Sequence, residues 1–257
     1  MIESTANRQV KNLLQLMKKA KTRREEGTFV VEGIRMFREV PKERRVCTYV
    51  SEGFLEREEN RTELKDISYE VMSDKVFSAV SDTQTPQGVL CVVRQKKYSI
   101  EEMLQKENPL LMILENLQDP GNLGTIFRTA EGAGVDGIIM SSDTVDIYNP
   151  KTVRSTMGSL YRMPFSYERD MDEVMRRVKE KGVSVYAAHL KGKQNYYQEN
   201  YTKGTAFLIG NEGNGLTDHL AGQADSYIRI PMEGQVESLN AAVAAAVLMY
   251  EVKRQRG

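Results

Sequence analysis

The sequence predicts a two-part α/β protein. A larger second part is built on a parallel sheet, and a smaller α/β unit precedes it. Three observations predict this. Short apolar runs alternate with helical patterns from residue 110 to residue 254. Those runs are continuously apolar, as in strands buried on both faces of a parallel sheet. Between the two parts lies RQKKYSIEEMLQKENP (94–109), a polar stretch ending in Asn-Pro, which is a turn signal. We therefore divide the chain into residues 1–97 and 98–257.

In the first part, Val10, Leu13, Leu14, Met17 and Ala20 recur at a helical period over 8–20. TFVVEG (28–33), VCTYV (46–50), YEVM (69–72) and GVLCVV (88–93) read as strands, and SDKVFSAVS (73–81) reads as a short helix. In the second part the strands are LLMILE (110–115), GIIM (137–140), VSVYAA (183–188), TAFLIG (205–210) and SYIRIP (226–231). Helices are expected over 122–134, 170–181 and 238–254. Ligands of such sheets bind beyond the carboxyl ends of the strands, so the loops after 115, 140, 188, 210 and 231 are where chemistry should sit.

Three of these loops are polar and turn-rich. ENLQDPGNLGTIFRTAEGAG (115–134) contains a tight Asp119-Pro120-Gly121-Asn122 turn, with Asn122 placed to cap the next helix and Arg128 about two turns in. GNEGNGLTD (210–218) is Gly-rich directly after a strand, which lets main-chain N–H groups approach a ligand. IPMEGQVESLNAAVAAAV (230–247) places Ser238 to cap an Ala-rich helix whose N-terminus offers free donors and positive dipole. The glycine spacing matches neither GxGxxG nor GxxxxGK[ST], so a nucleotide-dependent oxidoreductase is disfavoured.

Together NLQDPGNLGTIFRTA, FLIGNEGNGL and IPMEGQVESLNAAVAAA resemble, in order and spacing, the three motifs of the SpoU/TrmH family of RNA ribose methyltransferases. The resemblance covers roughly 110–254. The front of the chain, with NRQVKNLLQL, FVVEG and SDTQTPQGV, is similar to the RNA-binding extension of members that act on ribosomal RNA. What the resemblance implies is a SPOUT domain with a deep trefoil knot, S-adenosylmethionine as cofactor, and a homodimer whose interface helps build the active site. It implies methyl transfer to a ribose 2′-hydroxyl of RNA, with ribosomal RNA the expected substrate. The competing reading is an inactive RNA-binding or ribosome-assembly protein of the same fold.

Position by position, Gly210, Ile230 and Leu239 match the family's cofactor contacts. Arg128 matches the catalytic arginine, and Glu212, Ser238 and Asn240 match polar active-site positions. Asn122 matches the asparagine supporting the arginine's loop, and is also expected among the RNA contacts. A guanidinium holds its proton near neutrality. Arg128 therefore either is deprotonated by a special environment or stays charged and holds the ribose or its phosphate.

Lys+Arg and Asp+Glu both number 36, so RNA contact must come from a local patch rather than from net charge. Residues 4–24 hold seven basic side chains and no acid. Lys18, Lys19, Arg23 and Arg24 are the expected phosphate contacts. Arg154, with Asn149, Lys151 and Ser155, is placed near the same sheet edge as these loops and is expected in RNA or active-site contacts, Arg154 among the RNA contacts. Tyr196 and Tyr197 either stack on a base or pack, with packing favoured. With two separated cysteines (Cys47, Cys91) and two histidines (His189, His219), a disulfide framework and a metal centre are disfavoured. His189 is expected to be structural. The longest apolar run, 241–250, is too short to span a membrane, and the N-terminus has no signal-peptide pattern. The expected location is the cytoplasm.

Overall fold

The computed structural model describes all 257 residues and separates into two compact units. The first takes Met1–Lys96 together with Asp146–Tyr161, and the second takes Lys97–Val145 with Arg162–Gly257.

In chain order the first stretch holds α1 (Arg8–Lys18), α2 (Ala20–Glu26), β1 (Thr28–Glu32), α3 (Ile34–Glu39), β2 (Arg45–Ser51), α4 (Glu52–Leu55), α5 (Glu58–Glu63), β3 (Tyr69–Met72), α6 (Asp74–Val80) and β4 (Val89–Arg94). The sheet order is β1-β4-β2-β3, antiparallel except for the parallel β2–β3 pair. Asn7 caps α1 by accepting from the Gln9 N–H. Val10, Leu13, Leu16 and Met17 of α1 are buried with Val76 and Phe77 of α6 and with Leu90 of β4, so α1 is the amphipathic helix its period predicts. Gly27 ends α2 at φ 61°, the left-handed conformation that a residue with a Cβ adopts at a cost.

The second unit contains α7 (Ile100–Met103), β5 (Leu110–Leu114), α8 (Pro120–Ala133) and β6 (Gly137–Ser141). After an excursion carrying α9 (Pro150–Ser155), it resumes with β7 (Phe165–Glu168), α10 (Met171–Glu180), β8 (Ser184–Ala188), β9 (Gln194–Asn195), β10 (Thr205–Ile209), α11 (Asp218–Ala221), β11 (Ser226–Arg229) and α12 (Ala241–Arg256). Its sheet has seven strands in the order β7-β6-β5-β10-β8-β11-β9, and every neighbouring pair is parallel. Leu111 and Ile113 face a cluster with Val174, Met175 and Val178 of α10. The alternate residues Met112 and Leu114 are equally buried on the other side. Burial on both faces is why these strands read as unbroken apolar runs. α8 and α12 pack on each other, and α12 also on β10.

Two strands were not anticipated. β7 alternates Phe165-Ser166-Tyr167-Glu168, the pattern of an edge strand, and it pairs with β6 through Ile138 and Phe165. β9 is only two residues long, below what periodicity detects.

The segment Asp146–Tyr161, which lies inside 98–257, clusters with the first unit. Tyr148 lies 4.6 Å from the Phe29 ring, the Tyr161 hydroxyl donates to the Met36 carbonyl at 3.3 Å, and Arg44 sits 5.7 Å over the Tyr161 ring. Asn149, Lys151, Arg154 and Ser155 therefore belong to the first unit by their contacts. Asn149 caps α9, and Arg154 pairs with Asp82 at 2.7 Å.

Candidate active site

The site is assembled at the carboxyl ends of β5, β10 and β11. Pro120 opens α8, and the cap is Asp119, whose Oδ1 accepts from the Asn122 N–H at 2.7 Å. This corrects the expectation that Asn122 caps the helix. A carboxylate suits the positive end of the helix dipole, and capping by Asp119 leaves the Asn122 amide free for other work. At α12 the cap is Asn240, not Ser238, with Oδ1 accepting from Ala242 N–H at 2.9 Å and Val243 N–H at 3.3 Å. Ser238 lies outside the helix on an exposed segment.

The freed Asn122 amide joins the three loops. Its Nδ2 donates to Glu212 Oε1 at 3.0 Å, and its Oδ1 accepts from Asn240 Nδ2 at 2.9 Å. With one bond at each end of its amide, Asn122 is a support that joins the loops of the site. Glu212 also accepts from the main-chain N–H of Gln118 and of Asp119, both at 3.0 Å. Burial works to raise its pKa, but these hydrogen bonds to the charged form outweigh burial and hold the carboxyl below its ordinary value. The Glu212 carboxylate thus holds the first loop through three accepted hydrogen bonds.

Further bonds that the motif reading missed tie the same loops. Glu115 Oε1 accepts from the Thr217 hydroxyl at 2.7 Å, and Oε2 from the Thr217 N–H at 2.8 Å. Asn211 Nδ2 donates to the Asn116 carbonyl at 2.8 Å, and its Oδ1 accepts from the Gly213 and Asn214 N–H groups. Asn116 has φ 53°, a conformation asparagine tolerates, and Gln118 Nε2 donates to its Oδ1 at 2.6 Å and to the Asp143 carbonyl at 2.7 Å. The available signal was the density of amides and carboxylates around the two turns. Gly210 permits the tight Asn211–Gly215 bridge, because a Cβ there would fall 2.1 Å from the Gly215 carbonyl carbon.

Arg128 lies on α8, about 9 Å along the axis from Asn122. Its side chain is exposed and makes no ion pair or hydrogen bond within the chain. Residues 231–239 form no regular structure, and their main-chain N–H and C=O groups make no hydrogen bonds within the chain. Ile230, Ser238 and Leu239 lie on or beside that segment, which leads into Asn240.

The expected phosphate contacts lie in the first unit and divide into two kinds. Lys18, Lys19 and Arg24 are exposed. Arg23 is 3% exposed; its Nε and Nη2 donate to Asp146 Oδ2 at 2.9 and 2.7 Å, and Nη1 donates to the Leu16 carbonyl at 2.6 Å. Arg23 is a structural cation, which corrects its assignment to RNA contact. His189 Nδ1 accepts from the Lys191 N–H, and its ring lies 5.2 Å from that of Tyr227. Tyr196 and Tyr197 meet edge-on at 5.3 Å, and Tyr197 is half exposed. No group of three or more His, Cys, Asp or Glu is placed to hold a metal, and no helix is long and apolar enough to cross a membrane.

Comparison with known proteins agrees with this geometry. The SpoU rRNA methylase family model matches residues 109–250, and an MRM3-like substrate-binding domain model matches residues 7–91. The chain is 35% identical over 255 residues to the 23S rRNA (guanosine(2553)-2′-O)-methyltransferase RlmP of Bacillus subtilis, covering 98% of both chains. Among solved structures it is similar to the SpoU methyltransferase AviRb of Streptomyces viridochromogenes in complex with AdoMet (TM-score 0.88, 27% identity, 97% of this chain and 98% of that one). It is also similar to the AdoMet-bound rRNA methyltransferase of Sinorhizobium meliloti (TM-score 0.85, 30% identity, 98% and 97%). Matched over most of its length at both levels, with all three loops in place, the chain belongs to the SpoU rRNA methylase family.

Proposed function

We propose that this protein transfers a methyl group from S-adenosylmethionine to a ribose 2′-hydroxyl of ribosomal RNA. The observation that carries the reading is the network Asn122–Glu212–Asn240, which locks three loops together beside an arginine left without a partner. When bound, S-adenosylmethionine supplies an activated methyl group on a positively charged sulfur. The chain fits it: Gly210, Ile230 and Leu239 would hold it through main-chain groups, and the open main chain of 231–239 has donors and acceptors to give.

A ribose hydroxyl is a poor nucleophile, so orientation must do much of the work. Glu212 is occupied by three donors and serves the first loop. Arg128 reaches the ribose or its phosphate with its guanidinium, whose planar fork suits a two-point grip. Ser238 and Asn240 supply polar contacts at the α12 end of the site.

Residues 1–97 act as the RNA-binding domain and 98–257 as the methyltransferase, with Lys18, Lys19 and Arg24 meeting phosphates. Arg154 joins them by exchanging Asp82 for a phosphate. A homodimer is supported by one exposed face of the second unit. Val243 and Tyr250 of α12 are 48% and 52% exposed, and Gly132, one turn from Arg128 on α8, lies beside the Tyr250 hydroxyl. Family membership supports the trefoil knot. The free thiols Cys47 and Cys91 suit the reducing cytoplasm.

The test is a map of ribose methylation in ribosomal RNA from cells with and without the gene, inspecting first the position named for the Bacillus relative. Loss of a single 2′-O-methyl is expected. An unchanged map overturns the reading in favour of an inactive RNA-binding protein. Replacing Lys18, Lys19 and Arg24 by Gln should lower the slope of log affinity against log salt by between about two and three, the share of three phosphate contacts. Filter binding on ribosomal RNA measures it, and an unchanged slope places the contacts elsewhere.

A further inference from the structure

Resting on the methyl-donor reading above, we propose that Glu115 is a positioning residue that sets the shape of the donor-binding hairpin by gripping both of its ends. The hairpin runs from Gly210 to Leu216. Its entry is fixed where the Glu115 N–H donates to the Ile209 carbonyl at 2.9 Å. Its exit is fixed where the Glu115 carboxylate accepts both the hydroxyl and the N–H of Thr217, at 2.7 and 2.8 Å. One residue thus brackets the whole turn. The Thr217 hydroxyl is used twice, because it also accepts from the Leu220 N–H at 3.2 Å and so caps α11.

The hairpin has little slack between those ends. Gly210 is packed against the main chain of Gly215 and Leu216, and Asn211 and Gly215 exchange main-chain bonds at 3.0 and 2.9 Å. A shift of Thr217 is passed to Leu216 and Gly215, and from them to Gly210, the expected donor contact. Glu212, at the hairpin tip, reaches the other way and holds Gln118, Asp119 and Asn122 of the loop that leads to Arg128. The two carboxylates are exchanged between loops, and they divide the labour. Glu115 governs how well the donor is held, and Glu212 governs the chemistry at the arginine's helix.

The division predicts opposite kinetic signatures. Glu115→Ala should raise the Kd for S-adenosylmethionine about tenfold or more, the scale of losing charge-assisted hydrogen bonds. Its kcat at saturating donor should fall by a much smaller factor. Glu212→Gln should lower kcat by the larger factor while donor Kd moves less than threefold. Thr217→Val should follow Glu115→Ala in direction, and Thr217→Ser, which keeps the hydroxyl, should return donor Kd to within about twofold of the unmodified protein.

Calorimetry with S-adenosylmethionine and methyl transfer to ribosomal RNA give both quantities, and Thr217→Val supplies the donor result if Glu115→Ala does not fold. Unmodified protein that binds the donor, with Glu115→Ala or Thr217→Val at unmodified Kd, overturns this inference alone. So does a Thr217→Ser variant as impaired as Thr217→Val. Unmodified protein that takes up no donor overturns the methyltransferase reading and this inference with it.

Discussion

Replacing Arg128 with Ala is expected to lower the rate of methyl transfer by on the order of 10²- to 10³-fold while leaving donor affinity within a fewfold of normal. The magnitude is that of removing one preorganised charge from a transition state. The direction follows from the surroundings of the residue. Arg128 is exposed on α8 and pairs with no carboxylate, so its loss removes no internal bond and should leave the fold standing. Its neighbours in sequence do the structural work, with Phe127 fully buried against Phe165 at 5.3 Å. Single-turnover transfer to ribosomal RNA, alongside donor calorimetry, measures the effect. Near-normal turnover in the variant excludes Arg128 from the chemistry.

Replacing Arg23 with Ala is expected to act on stability instead. It strands Asp146, the residue at which the chain enters the Asp146–Tyr161 segment, without its cation, and it frees the Leu16 and Met17 carbonyls at the end of α1. Removing one partner of a buried ion pair costs about 3 kcal/mol or more. The Asp146 side chain is 23% exposed, which places the cost at the low end of that range. Asp146→Leu combined with Arg23→Met should recover part of the loss, because two apolar groups leave no unpaired charge. Urea unfolding measures both. The Lys18, Lys19 and Arg24 changes alter exposed groups and should shift the same midpoint little. An Arg23→Ala protein of unmodified stability but weakened RNA affinity would restore Arg23 to the RNA contacts.

The contrast between Arg23 and its neighbours marks where the sequence stops being legible. A basic run is visible in composition, but burial of one member is set by Asp146, 123 residues away in the chain. The parallel sheet was legible because burial on both faces leaves unbroken apolar runs, and β7 was not, because an edge strand keeps only alternation. The three loops of the candidate site were located by their turns. Their caps were assigned three positions and two positions away, to Asn122 instead of Asp119 and to Ser238 instead of Asn240. Each site offers more than one capping residue; at α8 the cap falls to Asp119 and the Asn122 amide serves another loop, whereas Asn240 caps α12 through Oδ1 and reaches the other loop through Nδ2. Asn122 goes to Glu212 and Asn240. Glu115 and Thr217 went unremarked because their pairing spans 102 residues and belongs to no local pattern. The excursion of 146–161 into the first unit is likewise a fact of tertiary packing, carried by Tyr148, Tyr161 and Asp146.

The most direct measurement supplies the purified protein with S-adenosylmethionine labelled in its methyl group and with ribosomal RNA from cells lacking the gene. The RNA is then hydrolysed in alkali, which spares only the linkage beside a 2′-O-methyl ribose. Label in one alkali-resistant dinucleotide is the expected result. Label on a base, or no label in RNA at all, contradicts ribose methylation by this chain.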